Sequence, residues 1–137
     1  MSIFMKINIM NKLGHVTVLV HDLDEALLFY TEKLGFVKQS DINLGDYRWV
    51  TVSAPDQPDF GIVFVLAASA EEKRAVGGQA PGRVLLTLQT DDCQRDYRKL
   101  SARGVVFEGE PRQMPYGTDV VFQDLYKNRY DLVEVRK

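Results

Sequence analysis

The chain has 137 residues, 45% of them hydrophobic and 26% charged, with 17 basic side chains against 19 acidic ones. That length and composition exclude a disordered chain and fit one compact domain or two tightly joined halves, while the balanced charge, with no Lys/Arg run interleaved with aromatics, excludes a nucleic-acid groove. No apolar stretch reaches the roughly 18 residues of a membrane span, and the single cysteine, Cys93, has no internal disulfide partner, as expected in a reducing, cytoplasmic compartment.

Residues 1–12 are apolar in places but lack a long h-region and a small-residue cleavage site, so they are expected to form an N-terminal extension and not a signal peptide. Methionines at 1, 5 and 10 allow a natural start near Met10. Alternation from His15 to Val20 predicts a strand, with Val16, Val18 and Val20 opposite His15, Thr17 and Leu19. His21 reads as a solvated turn residue. Asp22 is placed to cap a helix, with Glu25 three positions on as in a capping box. Leu23, Ala26, Leu27, Tyr30 and Leu34 then share a helical face, and Gly35 suits a left-handed C′ position. Strands are predicted at Val37–Ile42, Tyr47–Ser53 and Phe60–Leu66, separated by turns around Leu44-Gly45-Asp46 and over 54–58.

A short helix at Ala70–Ala75 and a flexible Gly77–Gly82 stretch lead to a second copy of the same order. Leu85–Asp92 repeats His15–Asp22: Thr87 falls on Thr17, Asp92 on Asp22, and Leu86 and Leu88 on Val16 and Val18. Asp92 caps a second helix striped by Cys93, Tyr97 and Leu100, and Gly104 answers Gly35. Cys93 takes the place of Leu23 and reads as a small buried hydrophobe. Strands follow at Val105–Glu108, Thr118–Gln123 and Tyr130–Val135, the last two joined by Asp124–Asn128. The chain is therefore expected to be an α+β protein of two βαβββ modules, 13–68 and 83–137, joined by a linker over 69–82, with curved mixed sheets around a cavity.

Leu13-Gly-His-Val-Thr-Val-Leu-Val, followed by Asp22, Phe29-Tyr30 and Lys33-Leu-Gly-Phe36, resembles the opening signature of the vicinal-oxygen-chelate superfamily, which includes the glyoxalases, bleomycin-resistance proteins and extradiol dioxygenases. Phe122-Gln-Asp-Leu-Tyr-Lys-Asn-Arg-Tyr-Asp-Leu-Val-Glu134 resembles its closing phrase, F-x-D-P-D-G-N-x-x-E-L-x-E, and Tyr116-Gly117 matches a further family feature. The resemblance spans the chain from about Leu13 and implies the paired-module fold. It does not name a reaction, because the superfamily holds isomerases, dioxygenases, thiol transferases, epimerases and antibiotic-binding proteins.

The family's metalloenzymes bind one divalent cation through the first and last strands of each module, which implies His15 and Asp131 as metal candidates here. The other two positions carry no donor: Leu85 stands at one, and Ile62–Leu66 is apolar throughout. His15 is thus open to three readings: a metal ligand, a metal-free polar or acid–base group, and a structural histidine. Asp91, Asp92 and Asp124 belong at strand ends and turns, where capping explains them. Arg48, Trp49, Thr51, Phe64, Gln89, Tyr116 and Gln123 are expected to line the cavity, with at most one of the adjacent Arg48 and Trp49 facing it. The expected function is small-molecule binding without a complete metal site and with no resident cofactor. The alternatives are a metal-dependent lyase, isomerase or dioxygenase, and a metal-free enzyme using His15 and Asp131 as acid and base. A homodimer is expected, with no nucleic acid or membrane as partner, and His15 and Asp131 are expected to face one cavity.

Overall fold

The computed structural model describes residues 9–135; the alternative start near Met10 and the extension 1–12 thus bear mostly on residues outside that span. The first module runs β1 (His15–Val20), α1 (Leu23–Leu28, continued by a π-helical turn at Phe29–Lys33), β2 (Val37–Asn43), β3 (Arg48–Ser53) and β4 (Gly61–Leu66). After α2 (Ala70–Ala75), the second runs β5 (Val84–Gln89), α3 (Cys93–Ala102), β6 (Val106–Phe107), β7 (Arg112–Met114), β8 (Gly117–Gln123) and β9 (Arg129–Val135). The sheets have strand orders β1-β4-β3-β2 and β5-β9-β8-β6, with β7 pairing β8. In each module the first strand lies parallel to the last, and the remaining pairs are antiparallel. This is the fold class expected from the repeat.

Local chemistry starts the helices where the sequence marks them. The Asp22 side chain accepts from the Glu25 N–H at 2.8 Å, and Asp92 does the same for Arg95 at 2.9 Å. The capping box expected at Glu25 is half made, because the Glu25 carboxylate accepts from the Tyr126 hydroxyl instead, at 3.0 Å. A full box forms at Ser69 and Glu72, opening α2. Gly35 and Gly104 both take positive φ, 79° and 88°, ending each helix in the left-handed turn that glycine adopts without penalty. The three-residue strand β7 was not expected: it is polar, follows Pro111 and has no alternation to reveal it.

One core joins the two modules. Val18 and Val20 of β1, Val50 and Val52 of β3, Ile62 and Phe64 of β4, and Ala26 and Tyr30 of the first helix pack in a single cluster with Cys93, Leu100, Val120, Phe122, Tyr130 and Leu132 of the second module. The cluster's members on β1, β3 and β9 alternate with His15, Thr51 and Asp131 respectively. The helices are thus sandwiched between the sheets, and each sheet turns its other face outward. At the centre the Tyr30 hydroxyl donates to Asp124 at 2.6 Å and accepts from the Tyr130 hydroxyl at 2.5 Å. Asp124 also accepts from the Tyr126 and Asn128 backbone amides and the Asn128 side chain, at 2.8, 2.9 and 2.8 Å. This buried carboxylate is a fully bonded knot between modules, a larger role than the turn capping expected of it.

Candidate functional site

On the outer face of the first sheet, β1 contributes His15 and Thr17, β3 contributes Trp49, Thr51 and Ser53, and β4 contributes Val63 between them. His15 is exposed, and its ring meets the Trp49 ring edge to face, 5.6 Å between centroids and 86° between planes. Ser53 is buried but satisfied, donating to the Ala54 carbonyl and accepting from the Gln39 amide. Thr51, 1% exposed, has a hydroxyl with no hydrogen-bond partner.

The outer face of the second sheet is built around two carboxyls. Asp131 stands on β9 with Val121 of β8 as its register partner, and Asp119 stands on β8 opposite Val133. Asp119 is 1% exposed and accepts from Arg112 Nε at 3.0 Å. Burial alone would raise the Asp119 carboxyl, but hydrogen bonds from Asp131, Arg112 and Tyr116 hold it below the usual range. Asp131 goes the other way: burial first, then its hydrogen bond with Asp119, push it up to about 6. One proton is thus shared between the pair, residing on Asp131 at mildly acidic pH. The remaining Asp131 oxygen, Oδ1, is buried without a partner.

The other expected site residues divide by strand parity. Trp49 takes the outer face, whereas Arg48 points to the helix side and bridges Asp24 at 2.8 Å and Asp41 at 2.9 Å. Phe64 is fully buried against Tyr30, ring centroids 5.0 Å apart, so it is core and lines no cavity. Its parity matches Val18 and Val50, the register partners on either side of it. Tyr116 is half exposed at the rim and hydrogen-bonds Asp119. Gln123 donates to Glu108 at 3.0 Å, beside the Arg129–Glu108 pair. Gln89 is exposed at the end of β5 and lines a groove of about 1500 Å³ along α3. That groove is the open seam between modules; Arg95 within it is bound to Asp91 and Asp96.

Because the core lies between the sheets, His15 and Asp131 of one chain occupy opposite outer faces and share no cavity within it. Asp119 and Arg112 were missed by sequence reasoning. Their signal was a charged residue amid Val120 and Phe122 with an arginine upstream, which is readable only once β7 is known to pair β8.

The residues do not fit the divalent metal that the resemblance implies. Leu85 and β4 supply no donors, Asp119 is taken by Arg112, and among the described residues no three His, Cys, Asp or Glu side chains gather as a cation site. No helix of the described residues is long and apolar enough to cross a membrane.

Residues 12–132 match the family model described as Glyoxalase/Bleomycin resistance protein/Dioxygenase superfamily. A protein of Shewanella frigidimarina (strain NCIMB 400) is 40% identical over 123 residues, covering 88% of this chain and 91% of its own. Among solved structures, UcmS2 aligns with a TM-score of 0.81 at 32% identity, covering 91% of this chain and 98% of that one. TnmS3, an antibiotic binding protein from Streptomyces sp. CB03234, aligns at 0.75 and 29% identity, covering 93% and 98%.

Proposed function

The chain belongs to the Glyoxalase/Bleomycin resistance protein/Dioxygenase superfamily, and within it we propose a binding protein for a small organic molecule that works without a resident metal. The observation that carries this reading is the buried, unpartnered Oδ1 of Asp131 on an open sheet face. Leaving such an atom unbonded costs about 1–3 kcal/mol, a cost that a ligand's donor group removes. The antibiotic binding described for TnmS3 supports the class, and the donor gaps at Leu85 and β4 support its metal-free form.

The closed site belongs to a homodimer, in which the His15 face of one chain covers the Asp131 face of the other. Exposed apolar side chains around both faces, Ile42, Leu44 and Tyr47 on one and Val106 and Tyr116 on the other, support this pairing. A thermal-shift screen of metabolites tests the function. A hit is expected whose shift disappears in His15→Leu while the variant still folds; a bound ligand indifferent to His15→Leu overturns the site. Elemental analysis is expected to find no stoichiometric metal, and close to one chelator-removable Zn, Ni, Mn or Fe per site overturns the metal-free reading. A second reading, acid–base catalysis by His15 and Asp131, draws support from the Asp131 carboxyl near pH 6. Turnover of the hit, lost in Asp131→Asn, would favour it.

A further inference from the structure

The buried hydroxyl of Thr51 deepens that binding reading and rests on it. Val50 and Val52, its neighbours along β3, face the core, so Thr51 alternates onto the outer face, 1% exposed and with Oγ1 unpartnered. A valine there would fill the same space without an unmade hydrogen bond, so the hydroxyl lowers stability where it stands. Ser53 on the same face escapes that cost through Gln39 and Ala54, and Thr17 is exposed.

Beside Thr51 this face carries an aromatic pair. Register sets Thr51 beside Val63 of β4, which lies beside Thr17 of β1. Trp49 and His15 stand on strands that β4 separates, so rings 5.6 Å apart must meet over β4. Val63 below them is 6% exposed. The backbone of β3 is engaged in ladders to β2 and β4, and Thr51, set between Val63 and Ser40 by register, offers the buried hydroxyl of this floor that has no partner. An edge-to-face ring pair is a cover that a flat ligand can part, stacking on the indole in exchange for the histidine contact.

We propose that Thr51 is a specificity-determining residue of this half of the site, and that the ligand is a flat aromatic or conjugated molecule whose hydroxyl or carbonyl oxygen hydrogen-bonds Thr51 Oγ1 while its ring stacks on Trp49. Trp49 is the only tryptophan in the chain, so its indole N–H gives one cross-peak in ¹H–¹⁵N spectra. The full-length protein is titrated with 2-naphthol and with naphthalene, the same ring system without the oxygen. Both are expected to move the Trp49 peak, 2-naphthol binding at least about ten-fold tighter. That preference should vanish in Thr51→Val, persist in Thr51→Ser, and be lost without any fall in melting temperature. Equal affinity of the two compounds for the wild type, or an undiminished preference in Thr51→Val, overturns the role of Thr51 while leaving binding on this face intact. A Thr51→Val protein that melts lower than wild type assigns the hydroxyl to the fold and also overturns it. If neither compound moves the Trp49 peak, this inference and the binding reading for this face fall together.

Discussion

At φ 73°, Lys127 holds a left-handed conformation in the turn between β8 and β9, at a cost of about 1 kcal/mol for a residue with a Cβ and almost none for glycine. Its place corresponds to the glycine of the family's closing phrase. Lys127→Gly is therefore expected to stabilise the protein by about 0.5–1 kcal/mol in urea denaturation, after a small entropic loss, and a destabilised variant would show that the lysine makes a compensating contact. Asp131 has a pH-dependent cost. Its folded pKa, near 6, lies above the unfolded value of 3.8, so its protonated form favours the native state below that unfolded value, and the benefit is lost as pH rises through 6. Asp131→Asn keeps a donor for Asp119 and removes the charge, so it should stabilise by about 1–2 kcal/mol at pH 7.5 and much less at pH 4. Equal effects at both pH values would contradict the shared proton. His15 and Asp131 were legible from family motifs. Thr51 is one of seven residues expected along the cavity, and its orphaned hydroxyl could not be read from a string, because burial and missing partners are properties of neighbours.

Two elements are held by side chains that act as backbone substitutes. β1 is an edge strand, and the Gln79 carboxamide, in the linker expected to be flexible, accepts from the Leu19 N–H at 2.7 Å and donates to the Thr17 carbonyl at 3.0 Å. Gln79→Ala should cost about 1 kcal/mol and accelerate amide exchange at Leu19 selectively; uniform protection would mean that the clip is dispensable. The other clasp is Tyr126, whose hydroxyl accepts from the Asp22 N–H at 3.2 Å and donates to Glu25, tying the β8–β9 turn to the start of α1. Burial, with the Glu25 bond adding to it, pushes this hydroxyl up to about 12, keeping it a donor at any physiological pH. The strands and helices themselves were readable because alternation and capping are local. The two clasps join residues far apart in the chain, one tying the linker to the first module and the other tying the second module to the first, so nothing in their own segments announced them.

For the whole molecule, the expectation with most to test is that function needs two chains. Light scattering should give about twice 15.6 kDa at micromolar concentration; a clean monomer counts against it. If His15 and Asp131 meet only across chains, His15→Leu and Asp131→Asn homodimers each bind poorly. Unfolding and refolding an equal mixture should then restore about a quarter of wild-type sites, the one intact site of each heterodimer. No restoration would confine each site to one chain. The amino-acid order by itself determined the paired modules, the helix starts, and the placing of His15 on the opposite side of its strand from the valines, because these follow from repeats and periodicities along one strand or one helix. It left open what each buried face packs against. Only the tertiary structure decided that the two helix-bearing faces share one core, knotted at Tyr30, Asp124 and Tyr130, so that His15 and Asp131 look away from each other. The physical reason is that burying apolar area is non-directional: alternation marks a face as hydrophobic, and the partner for that face is chosen by the packing of the whole chain.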